Sequence, residues 1–110
     1  MHRGPVEMRL DEMQAALCKT TSNPVRLGIL SLIGRRELSV GVIAQRLEQP
    51  IPTISKHLHM MKEQGVVSSR RAGNVIFYRV TDPRILDAVS LIRQVLMARL
   101  KSERAMLRNG

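Results

Sequence analysis

Ser55, Lys56 and His57 stand in succession and carry the side chains of this chain best suited to chemistry, with Thr53 close before them. A hydroxyl and an ammonium group donate hydrogen bonds to phosphate oxygens and to base edges in a nucleic-acid groove. An exposed imidazole contacts the same groups, whereas a partly buried one packs beside them, and the sequence leaves both roles open for His57. These residue types predict contact with nucleic acid.

Catalysis does not fit the same residues. The sequence has no supported Ser-His-Asp arrangement, no glycine-rich phosphate loop and no paired metal-ligand spacing. His59, two residues beyond His57, is expected to be ordinary surface. The sequence therefore argues against an enzyme.

The surrounding segments predict a helix-turn-helix over residues 39–65. Residues 39–47 form the first helix, since apolar side chains repeat there at helical spacing. Pro50 and Pro52 end it and set the angle of the second helix, expected over residues 53–64. That helix turns Ile54, Leu58 and Met61 inward and leaves residues 55–57 outward. A second helix that exposes small polar and basic residues is typical of one that enters the DNA major groove.

A basic hairpin is predicted directly after this helix, at residues 66–80. Two β-prone runs, 66–71 and 75–80, are separated by residues 72–74, which have the composition of a turn. A hairpin in this position is a wing, which lies against phosphates or in the minor groove. The residues predicted to contact DNA from the helix and the wing are Thr53, Ser55, Lys56, His57, Arg70, Arg71, Asn74 and Arg79.

Five segments in this order and spacing resemble the ArsR/SmtB family, whose members are small dimeric winged-helix repressors of prokaryotes. The segments are Asn23–Leu30, Glu37–Val40, Pro52–Leu58, Gly65–Val67 and Arg70–Val80. The resemblance extends over residues 17–100. It implies a winged helix-turn-helix fold, mainly α with a small β-hairpin wing (α+β), that dimerises through the N- and C-terminal helices.

The chain departs from the family just before the second helix. Pro50 and Ile51 stand where the family commonly has a capping serine and a glutamine. Proline cannot cap through a side chain, so the helix is expected to begin at Pro52 or with Thr53 as its cap. Ile51 cannot donate hydrogen bonds, although it can meet a thymine methyl group. The operator sequence therefore does not carry over from the family.

The two ends of the chain predict a dimer seam. Residues 6–20 form the first helix, and residues 83–106 form the last, with Asp82 as its cap and residues 104–110 frayed. A last helix this long has little of its own domain to pack against, so its apolar stripe is expected to meet a second copy. The predicted seam residues are Leu10, Met13, Leu17, Val89, Ile92, Leu96 and Leu100.

One further helix is predicted over residues 24–33, because Asn23 is a good N-cap and Pro24 fits the first helical position. Its apolar residues should be largely buried, and Arg26 should lie at its surface. The chain of 110 residues is long enough for one modest core. Residues 1–110 are therefore expected to form a single winged-helix DNA-binding domain.

The net charge is +9 and is unevenly distributed. Residues 1–50 contain seven Lys or Arg against five Asp or Glu, whereas residues 51–110 contain eleven against four. The excess of positive charge begins at the predicted recognition helix, as expected of a DNA-binding surface.

No apolar run reaches membrane-spanning length, and the N-terminal residues lack the apolar core of a signal peptide, so we expect a cytoplasmic protein without membrane contact.

The resemblance supplies no effector site. Members that sense arsenite or soft metals often carry Cys-Val-Cys where this chain has Ser39 and Gly41. Of the positions that hold zinc in other members, Asp82 matches, but the remaining ones are Arg84, Val95 and Ala98, which cannot coordinate zinc. No metal or cofactor is therefore expected, and Asp82 should be a helix cap.

Cys18 is the single cysteine of the sequence. It is expected to be a small buried apolar residue, or else a sensor of redox state or soft metals. As a sensor it would face its counterpart across the seam, helped by Met13 or His2.

The sequence as a whole predicts a homodimeric repressor that binds a palindromic operator in double-stranded DNA and is released by an unidentified effector. The alternatives are an effector-independent regulator and a winged-helix protein-interaction module, against which the basic wing argues.

Overall fold

The structure is a computed structural model, and it describes residues 3–109. Within them, helices and strands follow in the order α1 (Pro5–Thr20), α2 (Pro24–Ile33), β1 (Glu37–Ser39), α3 (Val40–Arg46), α4 (Ile51–Glu63), β2 (Val67–Ala72), β3 (Val75–Val80) and α5 (Arg84–Asn109). The helices α3 and α4 form the helix-turn-helix, and β2 and β3 form the wing. The prediction of a mainly α winged helix-turn-helix is confirmed.

The core lies between α2, α3, α4 and the sheet, and aliphatic side chains fill it. The largest fully buried residues are Ile29, Leu30, Ile33, Ile43, Ile54, Leu58, Met61, Val66 and Val67. Asn23 caps α2 by accepting hydrogen bonds from the N–H groups of Val25 and Arg26. Ser39 caps α3 by accepting one from the N–H of Val42. These caps occupy amide groups that the first turn of a helix leaves without partners.

The sheet has three antiparallel strands in the order β1-β3-β2. The segment before α3, which the sequence indicates only as a brief extended piece, pairs with β3 so that Glu37 lies opposite Arg79. The hairpin turns at Gly73, whose φ of 63° suits a residue without a side chain. Tyr78 and Val80 alternate along β3 toward the core, which anchors the base of the wing.

The helices α1 and α5 expose most of their apolar side chains in the single chain. On α1 these are Val6, Met8, Leu10 and Met13; on α5 they are Leu91, Ile92, Val95, Leu96, Met97, Leu100, Met106 and Leu107. Only the start of α5 packs on the core, through Ile85, Leu86 and Val89. Uncovered apolar surface of this extent marks an interaction face.

The structure differs from the sequence predictions in the recognition helix, in the last helix and at Arg26. Recognition helix α4 begins at Ile51, two residues before Thr53, with Pro50 at the N-cap position. Helix α5 continues to Asn109, so the predicted fraying from residue 104 is wrong. Arg26, expected at the surface, is only 9% exposed.

Arg26 is buried because its guanidinium group finds partners at the end of α1. Its Nε donates to the carbonyl oxygen of Thr20, and its Nη2 donates to that of Lys19 at 3.3 Å. Carbonyl oxygens at the C-terminus of a helix have no partners within the helix and carry partial negative charge. The cation therefore stabilises the junction of α1 and α2.

Candidate nucleic-acid interface

The recognition helix α4 is held from one side only. Ile54, Leu58 and Met61 repeat at helical spacing and are fully buried, so the opposite side of the helix is free to face a ligand. Its first turn is closed by the N–H of Ile54, which donates to the carbonyl oxygen of Pro50 at 3.1 Å. The buried anchors fix the rotation of the helix about its axis and therefore the direction of every exposed side chain.

Lys56 and His59 point into solvent on the free side, and Ser55 is half-buried beside them. Near the end of the helix, His59 Nε2 lies 3.9 Å from a carboxylate oxygen of Glu63. Lys62 and Glu63 place opposite charges at the C-terminal end of α4, whereas the N-terminal half carries Lys56 and no acidic side chain. Phosphates are therefore favoured along the N-terminal half of the helix.

Thr53 and His57 are one turn apart on α4 and both are half-buried, with His57 near Arg26 of α2. Burial lowers the pKa of His57 below its ordinary value, and the positive charges of Arg26 and Lys56 lower it further. A lowered pKa keeps the imidazole neutral at neutral pH. The sequence leaves two roles open for His57, and its half-buried position fits packing beside the contact surface. A neutral ring can still exchange hydrogen bonds with DNA.

Lys62 joins the recognition helix to the wing. Its Nζ donates to Oγ of Ser69 on β2 at 2.8 Å. Sequence reasoning missed Lys62, although its basic side chain and its position on the same helix as Ser55 were available signals. Because this bond joins α4 to the hairpin, the Lys62 side of α4 and the Ser69 face of the hairpin lie next to each other.

The three arginines of the wing do not lie on one face. Arg71 pairs opposite Ile76, on the face that also carries Ser69 and Tyr78, whereas Arg70 pairs opposite Phe77 on the other face with Arg79. Since Lys62 reaches Ser69, the Arg71 face is the one turned toward the recognition helix. The structure therefore brings Arg71 to the side of α4 and separates it from Arg70 and Arg79.

Arg70 is occupied by a partner within the chain. Its Nη2 lies 2.6 Å from Oε1 of Glu37, and its Cζ lies 4.8 Å from the centre of the Phe77 ring. The hydrogen bond from Arg70 and the charges of Arg70 and Arg79 lower the pKa of Glu37. The wing thus holds one of its cations in a salt bridge, which reduces the positive charge available to a phosphate.

Asn74 lies in the turn at the tip of the wing, next to Gly73, and is exposed. Arg79 is exposed near the opposite end of the hairpin, where it pairs across the sheet with Glu37 and Ser68. Among the predicted wing contacts, Arg71 and Asn74 are therefore nearer the tip, and Arg79 is at the base.

Asp82 has the role of a helix cap. Its Oδ1 accepts a hydrogen bond from the N–H of Arg84 at 3.0 Å, and its carboxylate also accepts from the Arg84 guanidinium. These bonds lower the pKa of Asp82 to about 2. Within residues 3–109, no cluster of three or more His, Cys, Asp or Glu side chains could hold a metal ion, and no helix is long and apolar enough to cross a membrane.

Cys18 is exposed on α1, so the expectation of a buried apolar residue is wrong for the single chain. His2, considered as its helper, lies outside the described residues. The predicted seam residues of α1 and α5 are largely uncovered: Leu10, Met13, Ile92, Leu96 and Leu100 are about half or more exposed, and Leu17 and Val89 are partly buried.

Comparison with known proteins adds three findings. Residues 21–70 match a family model described as a helix-turn-helix domain. The chain is 36% identical over 101 residues to the biofilm growth-associated repressor of Xylella fastidiosa, covering 92% of this chain and 88% of that protein. It is 30% identical over 94 residues to the transcriptional activator HlyU of Vibrio cholerae, covering 80% of this chain and 87% of that protein.

Among solved structures, the chain is similar to the homodimeric winged helix-turn-helix DNA-binding domain of a possible ArsR-family transcriptional regulator from Mycobacterium bovis. The TM-score is 0.80 at 27% sequence identity, and the match covers 91% of this chain and 93% of that one. The match extends beyond the helix-turn-helix and the wing, because it takes in nine-tenths of the chain.

Proposed function

Because the chain belongs to the ArsR/SmtB family of winged helix-turn-helix transcriptional regulators, we propose that it is a homodimeric repressor that binds a palindromic DNA operator and is released by an effector. As a DNA-binding transcriptional regulator and not an enzyme, it would act in the cytoplasm, where a prokaryotic chromosome lies. The proposed DNA contacts are Thr53, Ser55, Lys56, His57, Arg71 and Asn74, with Arg70 and Arg79 as additional wing cations.

One observation carries this proposal. Three fully buried residues on one side of α4 leave Lys56 exposed on the other, and Lys62 joins the same helix to the wing at 2.8 Å. Met61 of α4 and Val66 and Val67 at the base of the wing are buried in the same core, so helix and wing are fixed relative to each other before any ligand arrives. A fixed helix can enter a major groove while the wing contacts the flanking backbone, without a further cost of ordering.

A dimer follows from the exposed apolar faces of α1 and α5. A winged helix alone reads one short half-site, whereas two copies related by a two-fold axis read two half-sites one helical turn of DNA apart. The proposed seam consists of Leu10, Met13, Leu17, Val89, Ile92, Leu96 and Leu100. The similar Mycobacterium bovis domain is homodimeric, which supports a dimer for this chain.

Repression is favoured over activation by the similarity to the Xylella fastidiosa repressor, which covers more of this chain than the similarity to the activator HlyU. An operator that overlaps a promoter makes a bound dimer a repressor.

The alternative of a protein-interaction module is disfavoured by the exposed Lys56 and by the wing, whose Arg71 faces the side of α4. An effector-independent regulator would bind the operator in the same way, but no effector would release it from the DNA.

Release requires an effector that favours a second arrangement of the dimer, since only a ligand with different affinities for two states shifts their populations. A redox effector would act at Cys18, which is exposed on α1. One thiol per chain can bridge only between protomers, and the two Cα atoms must then approach within about 7 Å. Loss of operator binding on oxidation of the wild type but not of Cys18→Ser assigns release to this thiol, and identical behaviour removes it from the mechanism.

The proposal is tested by selecting fragments of the source genome with the full chain and measuring their Kd across a salt series. We expect a few discrete palindromic sites that are bound far more tightly than random duplex, with sedimentation of the complex corresponding to two chains. Random duplex bound as tightly as every genomic fragment would contradict a sequence-specific repressor.

A further inference from the structure

An exposed apolar corner begins the recognition helix. Pro50, Ile51 and Pro52 are all exposed, and Ile51 keeps 56% of its surface accessible. Ser55, which is polar and half-buried, follows Ile51 one turn later on the same side of the helix. Ile51 is not among the apolar residues that pack against the core, so its side chain is available to a ligand.

The corner is held in one conformation. Both prolines fix their own φ angles, and the preceding turn is closed by the N–H of Gln49, which donates to the carbonyl oxygen of Ala44 at 3.0 Å. Glu48 adopts a φ of 54°, a left-handed conformation that returns the chain sharply from α3 to α4. The backbone that carries Ile51 is therefore already ordered, which reduces the entropy lost when its side chain meets a ligand.

The chemistry of this corner excludes polar base contacts by side chains. Neither proline nor isoleucine has a side-chain donor or acceptor, and Pro52 has no backbone N–H. The major groove of DNA offers one apolar group, the C5 methyl of thymine. The N-terminal residues of a recognition helix are the ones that approach base edges.

We propose that Ile51 determines specificity by packing against the methyl group of one thymine in each operator half-site. This inference rests on the proposed function of sequence-specific DNA binding. Ile51 and Ser55 stand one turn apart on α4, and Lys62 continues the same side to the wing, where it bonds Ser69. The thymine therefore lies next to the base contacted by Ser55, on the wing side of α4.

The test uses operator DNA selected by the full chain and replaces each thymine in turn by uracil, which removes only the methyl group. One position per half-site should weaken wild-type binding about fourfold, the loss that corresponds to one buried methyl group. Ile51→Ala should bind the original operator less tightly and should no longer distinguish thymine from uracil there. Met60→Ala, which truncates another partly exposed apolar side chain of α4, should retain the wild-type distinction.

Ile51→Val serves as a second variant, since it keeps an apolar side chain and should preserve part of the preference for thymine. Circular dichroism of each variant verifies that the helix content is unchanged. In one outcome, the wild type selects DNA but every uracil substitution weakens binding equally in the wild type and in the variants at residue 51. That result would refute the role of Ile51 but leave the proposed function as a DNA-binding regulator intact. If wild type selects no DNA, the proposed function itself fails and the role of Ile51 falls with it.

Discussion

Arg70 and Glu37 form a salt bridge that ties β2 to β1 across the intervening strand. Nε of Arg70 donates to both carboxylate oxygens of Glu37, at 2.8 and 3.0 Å, between residues 33 positions apart in the chain. The guanidinium group passes over the Phe77 ring on β3 to reach its partner. The positive charge that the wing presents to a ligand therefore depends on this pair of residues.

Glu37→Gln should strengthen binding to random duplex DNA. Without the carboxylate, the Arg70 charge becomes available to a phosphate, and the slope of log Kd against log salt should become steeper by up to about one. Glu103→Gln, which removes a negative charge from α5, is the matched control. Equal slopes for the two variants would mean that only net charge changed and that Arg70 gains no phosphate contact.

Arg26→Ala should lower the free energy of unfolding by about 1.5–3 kcal/mol, because it removes hydrogen bonds from a charged donor to carbonyl groups in a buried site. Arg36→Ala is the control: Arg36 also donates to a helix carbonyl, that of Leu32 at 2.7 Å, but it does so in solvent. Urea unfolding at one fixed protein concentration measures both. Equal losses would show that the buried position of Arg26 adds no stability.

The stability of the protein should fall as pH decreases through the range just below 6.5, in part because of His57. Burial and the charges of Arg26 and Lys56 lower its folded pKa below the unfolded value of 6.5, so the unfolded chain binds more protons in that interval. The destabilisation is absent above pH 6.5 and complete below the folded pKa. His57→Gln should flatten this part of the profile.

Urea unfolding of the wild type and of His57→Gln between pH 7.5 and 5 measures the difference. His59→Gln, which replaces an exposed histidine of the same helix near Glu63, is the control. It shows whether the change in the pH profile comes from the surroundings of His57 or from the loss of any histidine. A profile for His57→Gln that is as steep as that of the wild type would exclude the proposed effect of burial and neighbouring charge.

Local signals in the sequence predicted much of this fold. The bounds of α2 follow from Asn23 and Pro24 at its start, and the cap of α5 follows from Asp82, because caps depend on adjacent residues. The hairpin was recognisable because β-prone runs flank Gly73 and Asn74. Such features are decided within a few residues and need no tertiary information.

The rest depended on contacts between segments distant in the sequence. Arg26 is buried because the end of α1 presents carbonyl groups to it, and nothing next to Arg26 in the sequence indicates this. The pairing of Arg70 with Glu37 requires the register of a strand 33 residues away. The division of the wing arginines between two faces likewise depends on that register, so sequence reasoning assigned Arg70, Arg71 and Arg79 one common role.

Leu96→Asp should convert the protein to a monomer. Leu96 is 49% exposed in the single chain, and covering a carboxylate at an apolar seam costs several kcal/mol, about 2–7 by transfer scales for polar groups. Sedimentation equilibrium measures the change, and operator affinity should fall with it. Leu107→Asp, on the last turn of the same helix and outside the proposed seam, should remain dimeric. A folded, dimeric Leu96→Asp protein would locate the seam elsewhere.

The most direct test of the account is the salt dependence of DNA binding by Lys56→Ala, with Lys101→Ala on α5 as the control for the loss of one positive charge. Lys56→Ala should weaken binding to selected operator and random duplex alike and reduce the slope of log Kd against log salt by about one, whereas Lys101→Ala should leave the slope unchanged. Ser55→Ala, measured beside them, should weaken operator binding more than random binding. Wild-type affinity and slope for both Lys56→Ala and Ser55→Ala would mean that α4 does not read DNA, which would contradict the central claim.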